Sequence, residues 1–203
     1  ICSVVLSGTS KAAADDAVAE KLGICQTDDI DVKLRLAACD AVINALSELP
    51  NLRAEALLNR GIIMEEDNNL DAALADFSTA ISLNPEYPAL YEHRGLVNAK
   101  QGKGDAALND LAMALRLAPD DADLHASRGV VRMLLGDDKG ALVDLNEAVR
   151  IAPGDADHYA RRGFIHWRLG SHANAEADSR RALELESDNE LASRTLSELR
   201  KRS

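Results

Sequence analysis

An Arg-Gly pair returns four times along this chain at one spacing: Arg60-Gly61, Arg94-Gly95, Arg128-Gly129 and Arg162-Gly163. Each step is 34 residues (95−61, 129−95, 163−129). A fixed period of that size marks a solenoid, in which each unit packs only on its neighbours and stacking buries a continuous core. With 203 residues there is room for a sizeable core. The period argues for one repeat array rather than two globular domains.

The rest of the chain keeps the same frame. With each Gly at position 8 of its unit, position 20 is Ala73, Ala107, Ala141 and Ala175. Position 27 is Ala80, Ala114, Ala148 and Ala182, and position 32 is Pro85, Pro119, Pro153 and then Ser187. Small residues at 8, 20 and 27 let helix backbones approach closely. Leu57, Leu58, Ile62 and Met64 recur at helical spacing and predict a first helix over 54–66. Asp67-Asn68-Asn69 is a turn, and Leu70, Ala73, Leu74, Phe77, Ala80 and Ile81 predict a second helix over 70–83. Pro85 ends it, since proline cannot continue a helix and disfavours the α region before it. Gly102, Gly136 and Gly170, at position 15, end the first helices of their units. The 46% apolar content with only 3% aromatics reflects Ala and Leu, which suit closely packed helices.

The joint spacing resembles the tetratricopeptide repeat (TPR) family across most of the chain. The family pattern wants a large residue at 4, Leu-Gly at 7–8, Tyr at 11, Ala at 20, an aromatic at 24, Ala at 27 and Pro at 32. This chain keeps 8, 20, 27 and 32. It departs at 7, with Arg for Leu, and largely at 24, where Phe77 fits but Leu111, Leu145 and Ser179 do not. The resemblance implies an all-α fold, a right-handed α-solenoid of antiparallel helix pairs with five TPR units and a C-terminal capping helix.

The fifth unit lies at the start. Gly23 to Ile43 matches Gly61 to Ile81 at Gly, Ile, Asp, Leu, Ala and Ile, and Leu22-Gly23 restores the family dipeptide. The step here is 38 residues (61−23), and the extra length fits a loop around Ser47-Glu48-Leu49-Pro50. The expected layout is an atypical first repeat over 15–49, repeats over 54–87, 88–121, 122–155 and 156–187, and a cap over 188–203. In the cap Leu191, Leu196 and Leu199 face the array, and Glu190, Arg194, Glu198, Arg200 and Lys201 face water.

Four units carry Arg at 7 and Asp sixteen residues later: Arg60/Asp76, Arg94/Asp110, Arg128/Asp144 and Arg162/Asp178. These positions lie near each other in an antiparallel helix pair. In the first unit both are absent together, as Leu22 and Ala38. They read as structural ion pairs; the other reading is an Arg row for an anionic ligand. The first unit instead holds Cys25 at position 10 and Cys39 at position 24, and carries Arg35 where the others have Ala. Position 24 packs near position 8 of the facing helix, which puts the two cysteines within reach of each other. A disulfide there would contribute roughly 3 kcal/mol; the alternative is two reduced cysteines acting as small buried hydrophobes. A disulfide agrees with export, and the resemblance to TPR-like proteins of bacterial envelopes points the same way.

Residues 1–14 differ from the rest. An apolar run, Ile1-Cys2-Ser3-Val4-Val5-Leu6, is followed by Ser7-Gly8-Thr9-Ser10 and then Ala12-Ala13-Ala14 before Asp15-Asp16. This resembles the end of a secretory signal peptide, so export, to a bacterial periplasm, is expected, with a cytoplasmic location as the alternative. The other reading of the segment is an irregular tail or an extra first helix.

In TPR proteins the first helices line a concave groove that takes extended peptides or partner helices. Carried over, that groove comprises Leu58, Ile62 and Glu65, then Glu92, Leu96 and Lys100, then Val130 and Met133, and finally Arg161, Phe164, Trp167 and Arg168. It grades from acidic (Asp28, Glu65, Glu66) to basic and aromatic, with the chain's single Trp at the basic end. An aromatic flanked by Arg is typical of an interface anchor, which implies a protein or peptide partner with apolar side chains and an acidic segment. The competing reading has Phe164 and Trp167 filling the gap under the cap. The family's Lys and Asn that grip C-terminal carboxylates at 5 and 9 are Leu58 and Ile62 here, so that activity is not expected.

Other classes are disfavoured. A net charge of −11 repels phosphate backbones and argues against nucleic acid. No stretch approaches the roughly 18 apolar residues of a membrane span. The five histidines (93, 125, 158, 166, 172) show no metal-ligand spacing, no glycine-rich phosphate loop is present, and neither catalysis nor a cofactor is expected. The expected function is a non-catalytic interaction scaffold. The alternatives are a regulatory or assembly domain of a larger envelope complex, or a groove for cell-wall glycan fragments.

Overall fold

The computed structural model describes residues 17–27, 29–45 and 49–201. The segment read as a signal remnant, Asp28 of the acidic stretch, and Ser47 and Glu48 of the expected loop lie outside the described residues. Every regular element among the described residues is helical. Helix α1 includes residues 17–26. It is followed by α2 (Val32–Ala45), α3 (Pro50–Glu66), α4 (Leu70–Leu83), α5 (Pro88–Lys100) and α6 (Gly104–Leu117). Then come α7 (Ala122–Leu134), α8 (Asp138–Ile151), α9 (Ala156–Arg168), α10 (His172–Leu185) and α11 (Glu190–Arg200). The protein is an α-solenoid of antiparallel helix pairs. Contacts in such a fold are local, and the chain divides into two compact units, the first ending at Val97 and the second beginning at Asn98, inside α5.

The turns inside the pairs follow from position 15. Gly102, Gly136 and Gly170 have φ of 75°, 83° and 74°, and Asn68 takes the same place at 58°. The next residue of each turn donates its N–H five residues back: Asn69 to Met64, Lys103 to Asn98, Asp137 to Arg132 and Ser171 to His166, at 2.7–2.9 Å. This is the Schellman closure, which needs a left-handed residue and satisfies carbonyls that the helix leaves open. Asn is the non-glycine residue that adopts it most readily.

The long first step has a different origin from the one expected. Helix α3 has 17 residues, whereas α5, α7 and α9 have 13 each. The four additional residues are helical, Pro50 to Arg53, not loop. Proline is tolerated in a first turn because its missing N–H would have had no helical partner there.

In the first unit the core comprises Phe77, Leu57, Ile63, Leu90, Val42 and Val97 over buried Ala54, Ala56, Ala73 and Ala80. A Cβ on Gly61 would run into the Phe77 ring. In the second unit Ala126, Ala141, Leu145, Ala148 and Ile165 form one cluster, and Ala160, Ala182 and Ala192 another. A Cβ on Gly129 would lie 3.2 Å from Leu145 Cγ, and one on Gly163 would lie 3.0 Å from Ser179 Oγ. Positions 8 and 24 therefore touch in each of these three pairs.

The first pair breaks this rule. Gly23 is exposed, and a Cβ there would meet nothing within 4 Å. The expected tight contact at Gly23 is absent because Cys39, at position 24, is joined to Cys25 and does not pack on the glycine. Both half-cystines are fully buried and belong to the core of the first unit. Arg35 is buried in the same pair, at a position where Ala73, Ala107, Ala141 and Ala175 are fully buried elsewhere.

Helix α11 closes the second unit against α9 and α10. It starts two residues later than Asp188, at an N-cap the sequence reading did not single out. Asn189 Oδ1 accepts from Ala192 N at 3.1 Å, while its Nδ2 donates to Asp157 of α9 at 2.8 Å. Leu191, Leu196 and Leu199 are half-buried, whereas Ala192 and Thr195 are fully buried.

Candidate partner-binding surface

The Arg-Gly beat is built into the helix pairs. Arg60 Nε and Nη2 donate to both oxygens of Asp76 at 2.7 and 2.6 Å. Arg128 meets Asp144 in the same forked way at 3.0 and 2.7 Å, and Arg162 meets Asp178 at 2.8 and 2.7 Å. Arg94 and Asp110 belong to different units of the structure. The forked geometry is the one in which guanidinium and carboxylate match best. The bond to Asp76, then that to Asp40, raise the Arg60 pKa against the opposing effect of burial.

Two further periodic contacts explain why Arg stands at 7. The remaining Nη1 reaches back to position 25 of the preceding helix pair: Arg60 to Asp40 at 2.6 Å, Arg94 to Ser78 at 3.4 Å, Arg162 to Asn146 at 3.3 Å. One guanidinium thus ties its own pair together and holds the previous pair. Position 11, one helical turn after the Arg, turns to the Asp at position 23: Asn98 Nδ2 donates to Asp110 at 3.1 Å and Arg132 Nη1 to Asp144 at 2.9 Å. His166 Nε2 lies 3.9 Å from Asp178. At 98, 132 and 166 the family's Tyr at 11 is replaced by groups that face an Asp, whereas Met64 holds that position in the Arg60/Asp76 pair.

His166 carries a pH consequence. Burial lowers its pKa from 6.5, Asp178 opposes that and Arg162 adds to it. The folded protein keeps the ring neutral, so as pH falls below 6.5 the unfolded chain takes up a proton that the folded one does not. Stability from this site is present above 6.5 and is lost as pH falls. His166→Gln should flatten the fall in melting temperature between pH 7.5 and 5.5, and the ring should titrate below 6.5 by NMR. An unchanged profile would assign the pH dependence elsewhere.

The residues expected in a groove fall into distinct environments. In the first unit Leu58 is buried in the core, so it is not available to a partner, and Ile62 packs against the same core. Glu65 lies 3.7 Å from His93, and Glu92 and Leu96 are half-buried. In the second unit Lys100 is exposed, while Arg168 Nε donates to Asp138 at 3.0 Å. Position 5 is buried throughout this unit (Ala126, Ala160), so its side chains form floor rather than lining.

Four of the expected residues do converge. Val130 and Met133 of α7 and Arg161 and Phe164 of α9 wall one cavity of about 300 Å³, with Leu191 and Arg194 of α11 on its third side. The interior is apolar, and its charged groups are the two arginines. Trp167 is not among the lining residues; it stacks on Phe164 with ring centroids 5.5 Å apart at 25°. Phe164 therefore lines the cavity, with Trp167 stacked on its ring. The part played by α11 was hidden in the sequence, because a terminal amphipathic helix reads as a solvent cap.

Three family models match the chain: a TPR repeat over residues 63–102, and tetratricopeptide repeats over 94–156 and 156–189. Together they span more than half of it. The chain is a tetratricopeptide repeat protein. Among solved structures this TPR protein is similar to MamA from Desulfovibrio magneticus, at 20% identity and a TM-score of 0.70, covering 86% of this chain and 98% of that one. It is similar to a thermophilic TPR protein of Thermus thermophilus at 22% identity and a TM-score of 0.69, covering 82% and 89%. It is also similar to YrrB, described as a TPR protein with an unusual peptide-binding site, at 21% and 0.63, covering 82% and 84%. At these identities the likeness concerns the fold. No curated protein sequence matches the chain. None of the described helices is long and apolar enough to cross a membrane.

Proposed function

We propose that this TPR protein is a non-catalytic interaction scaffold. Its partner is a peptide or helix that places an apolar side chain in the cavity between α7, α9 and α11 and a carboxylate against Arg161 and Arg194. The observation that carries this reading is the joining of an apolar interior to two cationic groups at one small cavity. At about 300 Å³ the cavity is at the lower end of ligand pockets, which suits one anchoring side chain rather than a whole cofactor. Aromatic and Arg residues at the centre of a contact supply most of the affinity of protein interfaces. The peptide-binding site named for YrrB supports the reading by analogy of fold. We further infer that the protein works in an oxidising compartment, since a buried disulfide staples its first helix pair.

The partner class is tested by selecting peptides from a random library on the full chain and titrating the best binder while following the fluorescence of the single tryptophan. Trp167 stacks on Phe164, so occupation of the cavity should change its emission. Selected peptides should combine a Leu, Met or aromatic residue with neighbouring Asp or Glu, and Phe164→Ala should weaken them by tenfold or more, about 1.4 kcal/mol. Peptides without acidic residues, or unaffected by that substitution, would reject the proposal.

A further inference from the structure

Position 3 of the repeat is buried and apolar in three pairs, as Ala56, Leu90 and Leu124. In the last pair it is His158, which is only 1% exposed. An imidazole in a leucine's place is costly unless its nitrogens have partners. Nδ1 of His158 is buried and has no hydrogen-bond partner. It faces Asp155 Oδ1 at 3.6 Å, and Nε2 faces Asp123 Oδ1 at 3.7 Å. Both separations are too long for hydrogen bonds.

We propose that Asp123, Asp155 and His158 hold a divalent transition-metal ion, Zn²⁺ by the chemistry of the donors. The three residues bring ligand atoms within 4.8 Å of one another. One ring nitrogen of His158 can serve the ion, and its unpartnered Nδ1 lies 3.6 Å from Asp155 Oδ1, close to the roughly 3.4 Å between ligands of a tetrahedral ion with bonds near 2.1 Å. One imidazole and two carboxylates match a zinc site that leaves its fourth position to water. Asp155 also caps α9, its Oδ1 accepting from His158 N at 3.1 Å. That uses one of about four acceptor sites on a carboxylate and leaves the others for an ion. Asp123 is exposed, so the ion has a route in from solvent, and a rotation of that side chain closes the site.

The ion ties the start of α7, which carries Asp123, to the start of α9, which carries Asp155 as cap and His158 in its first turn. The same two helices carry Val130, Met133, Arg161 and Phe164 further along. The metal would fix their spacing whatever binds in the cavity, so this inference does not depend on the peptide reading. Local sequence spacing could not show the site, because Asp123 and Asp155 are 32 residues apart (155−123) and meet only through repeat stacking.

The full chain, stripped with a chelator, is titrated with Zn²⁺ by calorimetry and with Co²⁺ by visible absorption. One equivalent of each metal should bind, with a Co²⁺ spectrum of low-symmetry coordination, and Zn²⁺ should raise the melting temperature. Asp123→Asn changes an exposed residue and should leave folding intact while weakening both metals by about tenfold or more. His158→Gln should abolish binding; if that variant does not fold, Asp123→Asn decides alone. Absence of saturable binding at millimolar Zn²⁺, or equal affinity in wild type and Asp123→Asn, would overturn the proposal.

Discussion

Asp144→Ala should lower the unfolding free energy by about 3 kcal/mol, the lower end of the range for breaking a buried ion pair, because the two Arg side chains left behind are partly exposed. Asp144 is 1% exposed and receives Arg128 through two bonds and Arg132 through one. His125 Nδ1 lies 3.9 Å away. Losing the carboxylate leaves two half-buried guanidinium groups, 22% and 28% exposed, without their counter-charge, and uncompensated charge is the expensive outcome. The control is Glu147→Ala, which removes the exposed, forked partner of Arg150 and should leave denaturation unchanged, as exposed pairs do. Equal effects of the two substitutions in urea denaturation would show that the Arg/Asp pairs do not hold the helix pairs together.

The second large effect concerns the staple. Reducing the Cys25–Cys39 bond, or replacing both residues by Ala, should destabilise the first helix pair by roughly 3 kcal/mol. The first pair has Leu22 and Ala38 in place of the Arg and Asp, makes no close contact at Gly23, and buries Arg35 where other pairs bury Ala. Hydrogen exchange should reveal the loss as opening of residues 17–45 under reducing conditions, with α7 to α10 keeping their protection. Equal protection with and without reductant would mean that the pair stands on packing alone. Free thiols at both positions in the protein from its native cell would remove the case for an oxidising compartment.

The 34-residue beat makes the fold legible in the sequence, because Gly and Ala are forced wherever two helix backbones touch. Gly61, Gly129 and Gly163 each face the position-24 side chain, as the repeat frame requires. Contacts between repeats were much less legible. The reach of Arg60 to Asp40 and of Arg162 to Asn146 joins residues whose types vary from unit to unit, so no motif repeats. Position 11 is hidden for the same reason: Asn98, Arg132 and His166 look unrelated until the position-23 Asp of its own unit stands opposite each. The groove was half legible. Family positions located Val130, Met133, Arg161 and Phe164, yet Leu58 is buried, and Leu191 and Arg194 come from a helix outside the repeat frame. The extra turn of α3 looks like loop in the sequence because Pro50 signals a break as readily as a helix start.

Reversing the charge of the two cavity arginines tests the proposed contact directly. An acidic, apolar peptide selected on the wild-type chain is titrated against the double variant Arg161→Glu/Arg194→Glu, alongside the same peptide with Lys in place of its Asp and Glu. If the partner's carboxylate is held by these two arginines, the original peptide loses at least tenfold in affinity for the variant, about 1.4 kcal/mol, and the Lys peptide recovers much of it. Unchanged affinity of the acidic peptide for the charge-reversed protein, with the fold intact, would place the partner elsewhere on the molecule.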